Sequence, residues 1–205
     1  MDRFTLSNRK RIWLTISSIV LWVSILFAAS APAEEQLDFF DQQVLDWAQN
    51  CAVDVTKQIE LSLVSGKLNV GQIFDTFYIP IPKTNPQKYR TQYDQYFDEA
   101  MRPVIDGYQK KNKRILFAIA VDRNGYLPTH NTKYAQPITG DADYDAKWNR
   151  TKRIFNDTTG LAAASNKKPY LLQKYSRDTG EVMSDLSVPI YVNGQHWGAV
   201  RFGYK

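Results

Sequence analysis

Residues 182–204 read VMSDLSVPIYVNGQHWGAVRFGY, and this stretch decides the fold. Two runs of alternating residues flank Asn193-Gly194, and Asn-Gly between such runs is the strongest short signal for a β-hairpin. We therefore expect antiparallel strands over 182–192 and 196–204. Similar patterns predict three more strands. One spans 115–121, a second follows the Asn124-Gly125 turn, and a third spans 170–177, which makes about five antiparallel strands.

A long amphipathic helix is predicted before the sheet, over residues 37–63, because apolar side chains recur there at steps of three and four. It would end near Ser65-Gly66. At about 1.5 Å per residue the helix would be about 40 Å long. One small sheet does not cover that length, so we expect part of it to contact another helix or a partner chain. The stripe consists of Leu37, Phe40, Val44, Trp47, Cys51, Val55, Ile59 and Leu63.

Two further helices are expected. Asn85-Pro86 would open one in which Tyr89, Tyr93, Phe97 and Met101 share a side, with Pro103 kinking or ending it. The other would span 144–155. A helix covering one face of an antiparallel sheet is an α+β fold, and the second of these helices, with its loop, would roof the opposite face over a cavity.

The N-terminus has the pattern of an export signal. Arg9-Lys10-Arg11 precedes an uncharged apolar run over 12–29, and Ala31-Pro32-Ala33 then offers a cleavage site after Ala33. An uncleaved membrane anchor is the alternative, because about 20 apolar residues span a bilayer. Residues 1–33 are thus a signal peptide or anchor, and 34–205 form one domain on the far side of a membrane.

Composition excludes several classes of protein. The formal charge is +5, but Arg3, Arg9, Lys10 and Arg11 lie in the predicted signal, and the basic cluster at 110–114 is typical of a solvated helix end. A nucleic-acid-binding face is therefore not expected. One Cys and two His provide neither a zinc site nor an internal disulfide. Common hydrolase and nucleotide-binding motifs are missing, so we expect no enzyme, with a Cys51 and His130 hydrolase as a remote alternative.

The polar side chains of the predicted strands suggest a binding site. Alternation assigns seven residues to one sheet face: Gln173, Tyr175, Asp185, Ser187, Tyr191, Trp197 and Arg201. Trp148, Arg150 and Arg153 on the predicted roof helix would face them, and guanidiniums three residues apart can grip a carboxylate. We expect a pocket for a small polar or carboxylate ligand. The alternatives are a solvated sheet face and pairing of the arginines with Asp145 or Asp157.

Four segments together resemble the extracytoplasmic sensor region of bacterial methyl-accepting chemotaxis proteins of the Cache (extracellular PAS-like) type. They are DRNGYLPTHN at 122–131, NRTKRIF at 149–155, RDTGE at 177–181 and HWGAVR at 196–201. The resemblance covers about residues 76–204. It implies a PAS-like, single Cache sheet behind the long helix, a pocket for an organic acid, amino acid or amine, and a place in the periplasm, or in the inner membrane if the anchor stays.

The sequence also departs from that family. A receptor needs a second span and a cytoplasmic coiled coil, whereas this chain stops at Lys205. We therefore expect a module that acts through a membrane signalling partner or as a homodimer through the long helix, or else a truncated receptor. A structural protein that docks this helix on a membrane partner is the alternative. Covalent haem, carried by some PAS-like sensors on Cys-x-x-Cys-His, is not expected because the motif is missing, and no other cofactor is expected.

Overall fold

The computed structural model describes residues 37–176 and 182–205, which contain one long helix, a central antiparallel sheet and several short elements. The predicted export signal at 1–33 and the predicted turn at 178–181 lie outside the described residues. In chain order the elements are α1 (Phe39–Val64), α2 (Val70–Ile73), β1 (Ile79–Ile81), β2 (Lys88–Arg90), α3 (Asp94–Tyr96), α4 (Arg102–Gln109), β3 (Ile115–Asp122), β4 (Tyr126–Leu127), α5 (Ala142–Trp148), β5 (Arg153–Ile154), α6 (Thr158–Ser165), β6 (Leu171–Ser176), β7 (Val182–Val192) and β8 (Gln195–Tyr204).

The central sheet has four strands in the order β3-β8-β7-β6, all antiparallel, so the α+β class is confirmed and the expectation of five strands is wrong. The missing strand is β4, which pairs with β5 instead. After β3 the chain turns sharply, because Oδ1 of Asp122 accepts hydrogen bonds from the main-chain N–H groups of Asn124 and Tyr126, each at 2.9 Å. The outer edge of β3 is partly filled by the side chain of Asn131, which bonds to the N–H of Ala118.

The long helix α1 forms as predicted and covers one face of the sheet. Asp38 caps its first turn, and a reciprocal hydrogen bond with Asp41 completes a capping box. Ser65 is its C-cap, followed by Gly66 in the left-handed region at φ 69°. Its inward stripe, including the fully buried Cys51, joins the apolar faces of β7 and β8 in the main core.

The helix that was predicted to open at Asn85-Pro86 starts later in the chain. Tyr89 lies in β2, which pairs with β1, and the helix begins only at Asp94. Tyr93, Phe97 and Met101 are nevertheless fully buried in the core. A π-helical turn over Phe97–Met101 leads into α4, whose first turn contains Pro103, so the proline that lacks an N–H sits where the helical hydrogen bonding changes register.

The segment between β3 and β6, residues 123–170, is called the inserted segment below. The helix predicted for 144–155 is wrong in its second half, because α5 ends at Trp148 and Asn149 leaves helical geometry at φ −118° and ψ 80°. The main-chain N–H of Asn149 still donates to the carbonyl of Asp145, as at a helix end. Its side chain makes long-range contacts: Oδ1 accepts from Lys88, and the amide N–H donates to the carbonyl of Gln136. Helix α6 was not predicted, although Asp157 caps it by accepting from the N–H of Gly160 at 3.0 Å.

A β-bulge changes which side chains of β8 face the core. Ile190 of β7 is opposite Gly198, whereas Tyr191 is opposite His196, so Trp197 is an extra residue in β8. Such a residue interrupts the alternation of a strand. Trp197 therefore joins Val200 and Phe202 on the face toward α1.

In the described part of the chain, no helix combines the length and apolar character needed to cross a membrane.

Candidate functional site

A cavity of about 990 Å³ lies between the inserted segment and the sheet face opposite α1. The sheet supplies the floor, and α5, β5 and the adjoining loops supply the walls. Aromatic, cationic and aliphatic side chains surround it: Leu116, Phe117, Ile119, Leu127, His130, Tyr134, Asp143, Ala146, Lys147, Trp148, Arg150, Arg153, Phe155, Asp157, Thr159, Tyr175, Ser176, Met183 and Arg201.

Two guanidiniums form the cationic wall. The Cζ atoms of Arg150 and Arg153 lie 5.1 and 4.9 Å from the ring centre of Phe155. Nη1 of Arg153 donates a hydrogen bond to the carbonyl of Ala146 at 3.1 Å, and within residues 37–176 and 182–205 Arg153 has no ion pair. Burial and the charge of Arg150 lower the pKa of Arg153 to about 10, which keeps it protonated at neutral pH. This wall therefore carries concentrated positive charge.

A second part of the cavity lining is an uncharged row of rings, in contrast to the cationic wall. His130 lies 6.1 Å from Phe117 and 4.9 Å from Tyr134 between ring centres, and Tyr134 stacks on Trp148 at 6.0 Å. His130 is 2% exposed. Burial, followed by the charges of Arg150 and other nearby cations, lowers the pKa of His130 well below its usual value, so the imidazole is neutral at neutral pH. The row is therefore an uncharged surface against which an apolar or flat part of a ligand can rest.

The floor contains a buried ion pair. Nη2 of Arg201 lies 2.6 Å from Oδ2 of Asp185, which is fully buried. Burial alone would lower the pKa of Arg201, but the carboxylate of Asp185 raises it overall. Since Asp185 balances the charge of Arg201, the excess positive charge of the cavity comes from its walls.

The structure brings five of the ten predicted site residues to this cavity, namely Trp148, Arg150, Arg153, Tyr175 and Arg201. The two arginines reach it from a loop and from β5 rather than from one helix. The other five do not line it.

Four of those five share the sheet face of the cavity but have other contacts. Gln173 donates to the carbonyl of Thr159 at 3.1 Å, and Asp185 lies beneath Arg201. Ser187 is fully buried and lies 3.5 Å from the carbonyl of Leu171. Tyr191 is 40% exposed and contacts the ring of His196.

Trp197 is the fifth, and the sequence-based assignment of its side chain to the binding face is wrong. Its indole N–H donates to the carbonyl of Ile73 at 2.9 Å, and its ring packs against Phe97 and Tyr93 on the side of α1. The cause is the β-bulge in β8, because an extra residue turns the side chain at that position to the other face of the sheet.

Sequence reasoning missed several residues that line the cavity. Phe117 and Ile119 alternate with Ala118 and Ala120 in β3, and this period-two pattern could have identified them. Phe155 follows Arg153 by two residues in an extended segment, which places both on one side. Three other missed residues belong to the strands of the sheet, namely Leu116, Ser176 and Met183. The rest depend on the path of the inserted segment: Leu127, His130, Tyr134, Asp143, Ala146, Lys147, Asp157 and Thr159.

Cys51 and His130 lie on opposite faces of the sheet, so they do not form a catalytic dyad. Cys51 is fully buried on the core-facing side of α1, where burial, and then the nearby charge of Asp54, raises the pKa of its thiol. His130 lines the cavity on the other face. Across the described ranges, 37–176 and 182–205, no three side chains of His, Cys, Asp or Glu are grouped closely enough to hold a metal ion.

Comparison with known proteins gives distant similarity to solved structures alone. No protein family and no curated protein matches the chain. Among solved structures, a protein described as an extracellular ligand binding receptor from Desulfohalobium retbaense DSM5692 is similar at 15% identity and a TM-score of 0.36, over 82% of this chain and 26% of that one. The chain thus spans about a quarter of that receptor. At this TM-score the function has to be argued from the cavity itself.

Proposed function

We propose that this domain binds a small molecule bearing a carboxylate in the cavity of about 990 Å³ and acts as a sensor module without catalysis. The observation that carries the proposal is the placement of two guanidiniums, those of Arg150 and Arg153, over Phe155 on one wall. A guanidinium offers a planar fork of donors that matches the two oxygens of a carboxylate. The volume is of the size that binds small organic molecules.

The neutral ring row supports a ligand with an apolar part as well as a charge. The wall of Phe117, His130, Tyr134 and Trp148 lines the same cavity as the two arginines. A molecule that places its carboxylate on the arginines would rest its carbon skeleton against these rings. Organic acids fit this combination better than inorganic anions, which use only the charge.

The module is proposed to work outside the cytoplasm and to signal through a partner. The export pattern over residues 9–33 supports the location. The absence of catalysis is supported by the separation of Cys51 from His130, which removes the nucleophile and base that the sequence offered. Binding without turnover, followed by transmission to another protein, is the function of a sensor.

A second candidate function is docking of α1 on a membrane partner, and one observation favours it. Phe39, Val53 and Val64 are 88%, 66% and 88% exposed. At about 100° per residue they fall within about 40° of one another around the helix. Light scattering and crosslinking of the chain lacking residues 1–33 would detect such association, whereas a monomer that binds carboxylates would favour the sensor.

The sensor proposal is tested by thermal unfolding of that chain with acetate, succinate, citrate and benzoate, each beside its uncharged amide. We expect at least one carboxylate, and not its amide, to stabilise the fold, because a ligand at 100 times its Kd adds about 2.7 kcal/mol. Arg153→Gln should abolish the stabilisation. Arg90→Gln, at an exposed position of β2, is the matched control and should bind like the wild type. Stabilisation by none of the acids, or equal stabilisation of Arg153→Gln, would reject the proposal.

A further inference from the structure

The ammonium of Lys88 is buried against the main chain of the loop that carries the arginines. The side chain belongs to β2 and is 3% exposed. Its Nζ lies 2.8 Å from the carbonyl oxygen of Asn149, 2.7 Å from that of Thr151 and 2.5 Å from Oδ1 of Asn149. Among the described residues it has no ion pair. A buried ammonium surrounded by neutral acceptors is costly, so its placement requires a structural reason.

The acceptors of Lys88 flank the first of the two cavity arginines. Asn149 and Thr151 are the residues on either side of Arg150, so one ammonium fixes the main chain both before and after it. The N–H of Tyr89, next to Lys88, donates to the carbonyl of Lys152 at 2.8 Å. Because β2 also pairs with β1, the loop is attached to a two-stranded ribbon outside the central sheet.

We infer that Lys88 is the positioning residue of the carboxylate site, holding the main chain at Asn149 and Thr151 so that Arg150 and Arg153 face the cavity. The inference rests on the proposed function. Lys88 does not line the cavity, so it acts through the loop and not on the ligand. Removing its ammonium leaves three acceptors without this donor, two of them buried on Asn149, and such groups favour opening of the loop toward water.

The charges around Lys88 couple it to the arginines. Arg153, Lys152 and Arg150 repel its positive charge, whereas Asp145 of α5 attracts it. Burial, and then the charge of Arg153, lowers the pKa of Lys88 to about 8. The protonated fraction of such a group falls about ten-fold between pH 7 and pH 9. Arg153, whose pKa is about 10, stays about nine-tenths protonated even at pH 9, so its resonances can report the charge of Lys88.

The test compares Lys88→Met with Lys113→Met, an exposed lysine on the loop between α4 and β3. Hydrogen exchange is followed at the amides of Arg150 and Lys152, which donate to the carbonyls of Tyr134 and Leu127. In Lys88→Met we expect about ten-fold faster exchange at these two amides and unchanged exchange in strand β8. In Lys113→Met we expect unchanged exchange at the same two amides. In the wild type the ¹³Cζ resonance of Arg153 should titrate with a midpoint near pH 8, and in Lys88→Met it should not.

The outcomes are decisive without a ligand. Unchanged exchange at both amides in Lys88→Met would overturn the positioning role. Faster exchange throughout β8 as well would identify Lys88 as a general stabilising residue and would also overturn it. If Lys88→Met does not fold, Lys88→Gln, whose side-chain amide keeps two N–H donors but no charge, replaces it in the same comparison. A failed carboxylate screen would reject the carboxylate site but not the contact of Lys88 with the loop, which these measurements test without any carboxylate.

Discussion

Asp185 and Arg201 form a buried ion pair across the two central strands, with 2.6 Å between Oδ2 and Nη2. The pairing is diagonal, because Asp185 lies opposite Gly203 in β8 while Arg201 lies opposite Ser187 in β7. Since this pair neutralises itself in the floor of the cavity, the excess positive charge of the cavity comes from its walls, where Arg150 and Arg153 lie.

The first prediction concerns the stability that depends on this pair. Asp185→Asn should lower the free energy of unfolding by about 3 to 5 kcal/mol, because it leaves the guanidinium of Arg201 buried without its counter-charge. Urea unfolding followed by circular dichroism measures the change.

The control is a variant that removes both charges. Asp185→Leu combined with Arg201→Met should be less destabilised than Asp185→Asn, since no uncompensated charge stays buried. A double variant as unstable as Asp185→Asn would show that packing at these positions, and not charge pairing, determines the loss.

The second prediction separates two tryptophans that the sequence assigned to one site. Trp197→Phe should lose roughly 1 to 3 kcal/mol of stability, because the buried carbonyl of Ile73 loses its donor, and should bind ligand normally. Trp148→Phe should leave stability nearly unchanged and weaken binding roughly two- to ten-fold through lost ring contact. Urea unfolding and titration with the carboxylate that stabilises the chain most measure the two effects. Weaker binding by Trp197→Phe alone would contradict the assignment.

The difference between these tryptophans shows where sequence reasoning succeeds and where it fails. Alternation over β7 places Leu186, Val188 and Ile190 in the core, and the structure agrees. One strand later the same rule fails at Trp197, because a bulge depends on the register between two strands and not on the pattern within one.

The roof of the cavity was less predictable for a related reason. Local sequence favours a helix through residue 155, yet Asn149 leaves α5 to bond with Lys88, which is 61 positions away in the chain. Arg150 and Arg153 still reach the cavity, by a loop and a strand. Local propensity therefore identified the charged residues of the roof but could not identify the distant lysine that shapes it.

The third prediction is a dependence of stability on pH that comes from His130. Its pKa in the folded chain lies well below the ordinary value, first because of burial and then because of nearby Arg150 and other cations. Below about pH 6.5 the unfolded chain therefore binds a proton that the folded chain does not, and stability falls as the pH decreases.

Replacing the imidazole tests this prediction. Between pH 7 and pH 5, the free energy of unfolding of His130→Phe should fall less steeply than that of the wild type. The difference in slope should be up to about 1.4 kcal/mol per pH unit. Urea unfolding at several pH values measures the two slopes. Equal slopes would mean that His130 is protonated in the fold without cost and that carboxyl groups alone set the acid sensitivity.

The last prediction concerns the close approach of the main chains of β3 and β8 at Gly198, next to the bulge. Gly198 faces Asp122 across β3 and β8, and a Cβ placed on it would lie 2.0 Å from the carbonyl oxygen of Val121. Gly198→Ala must push two hydrogen-bonded strands apart, so we expect a loss of at least roughly 2 kcal/mol in urea unfolding. Gly107→Ala in α4 is the matched control, because its Cβ would meet no atom within 4 Å and alanine favours a helix over glycine by about 1 kcal/mol. The two substitutions should therefore change the free energy of unfolding in opposite directions. A neutral Gly198→Ala would mean that β3 and β8 can separate without cost and that the bulge at Trp197 does not depend on their close approach.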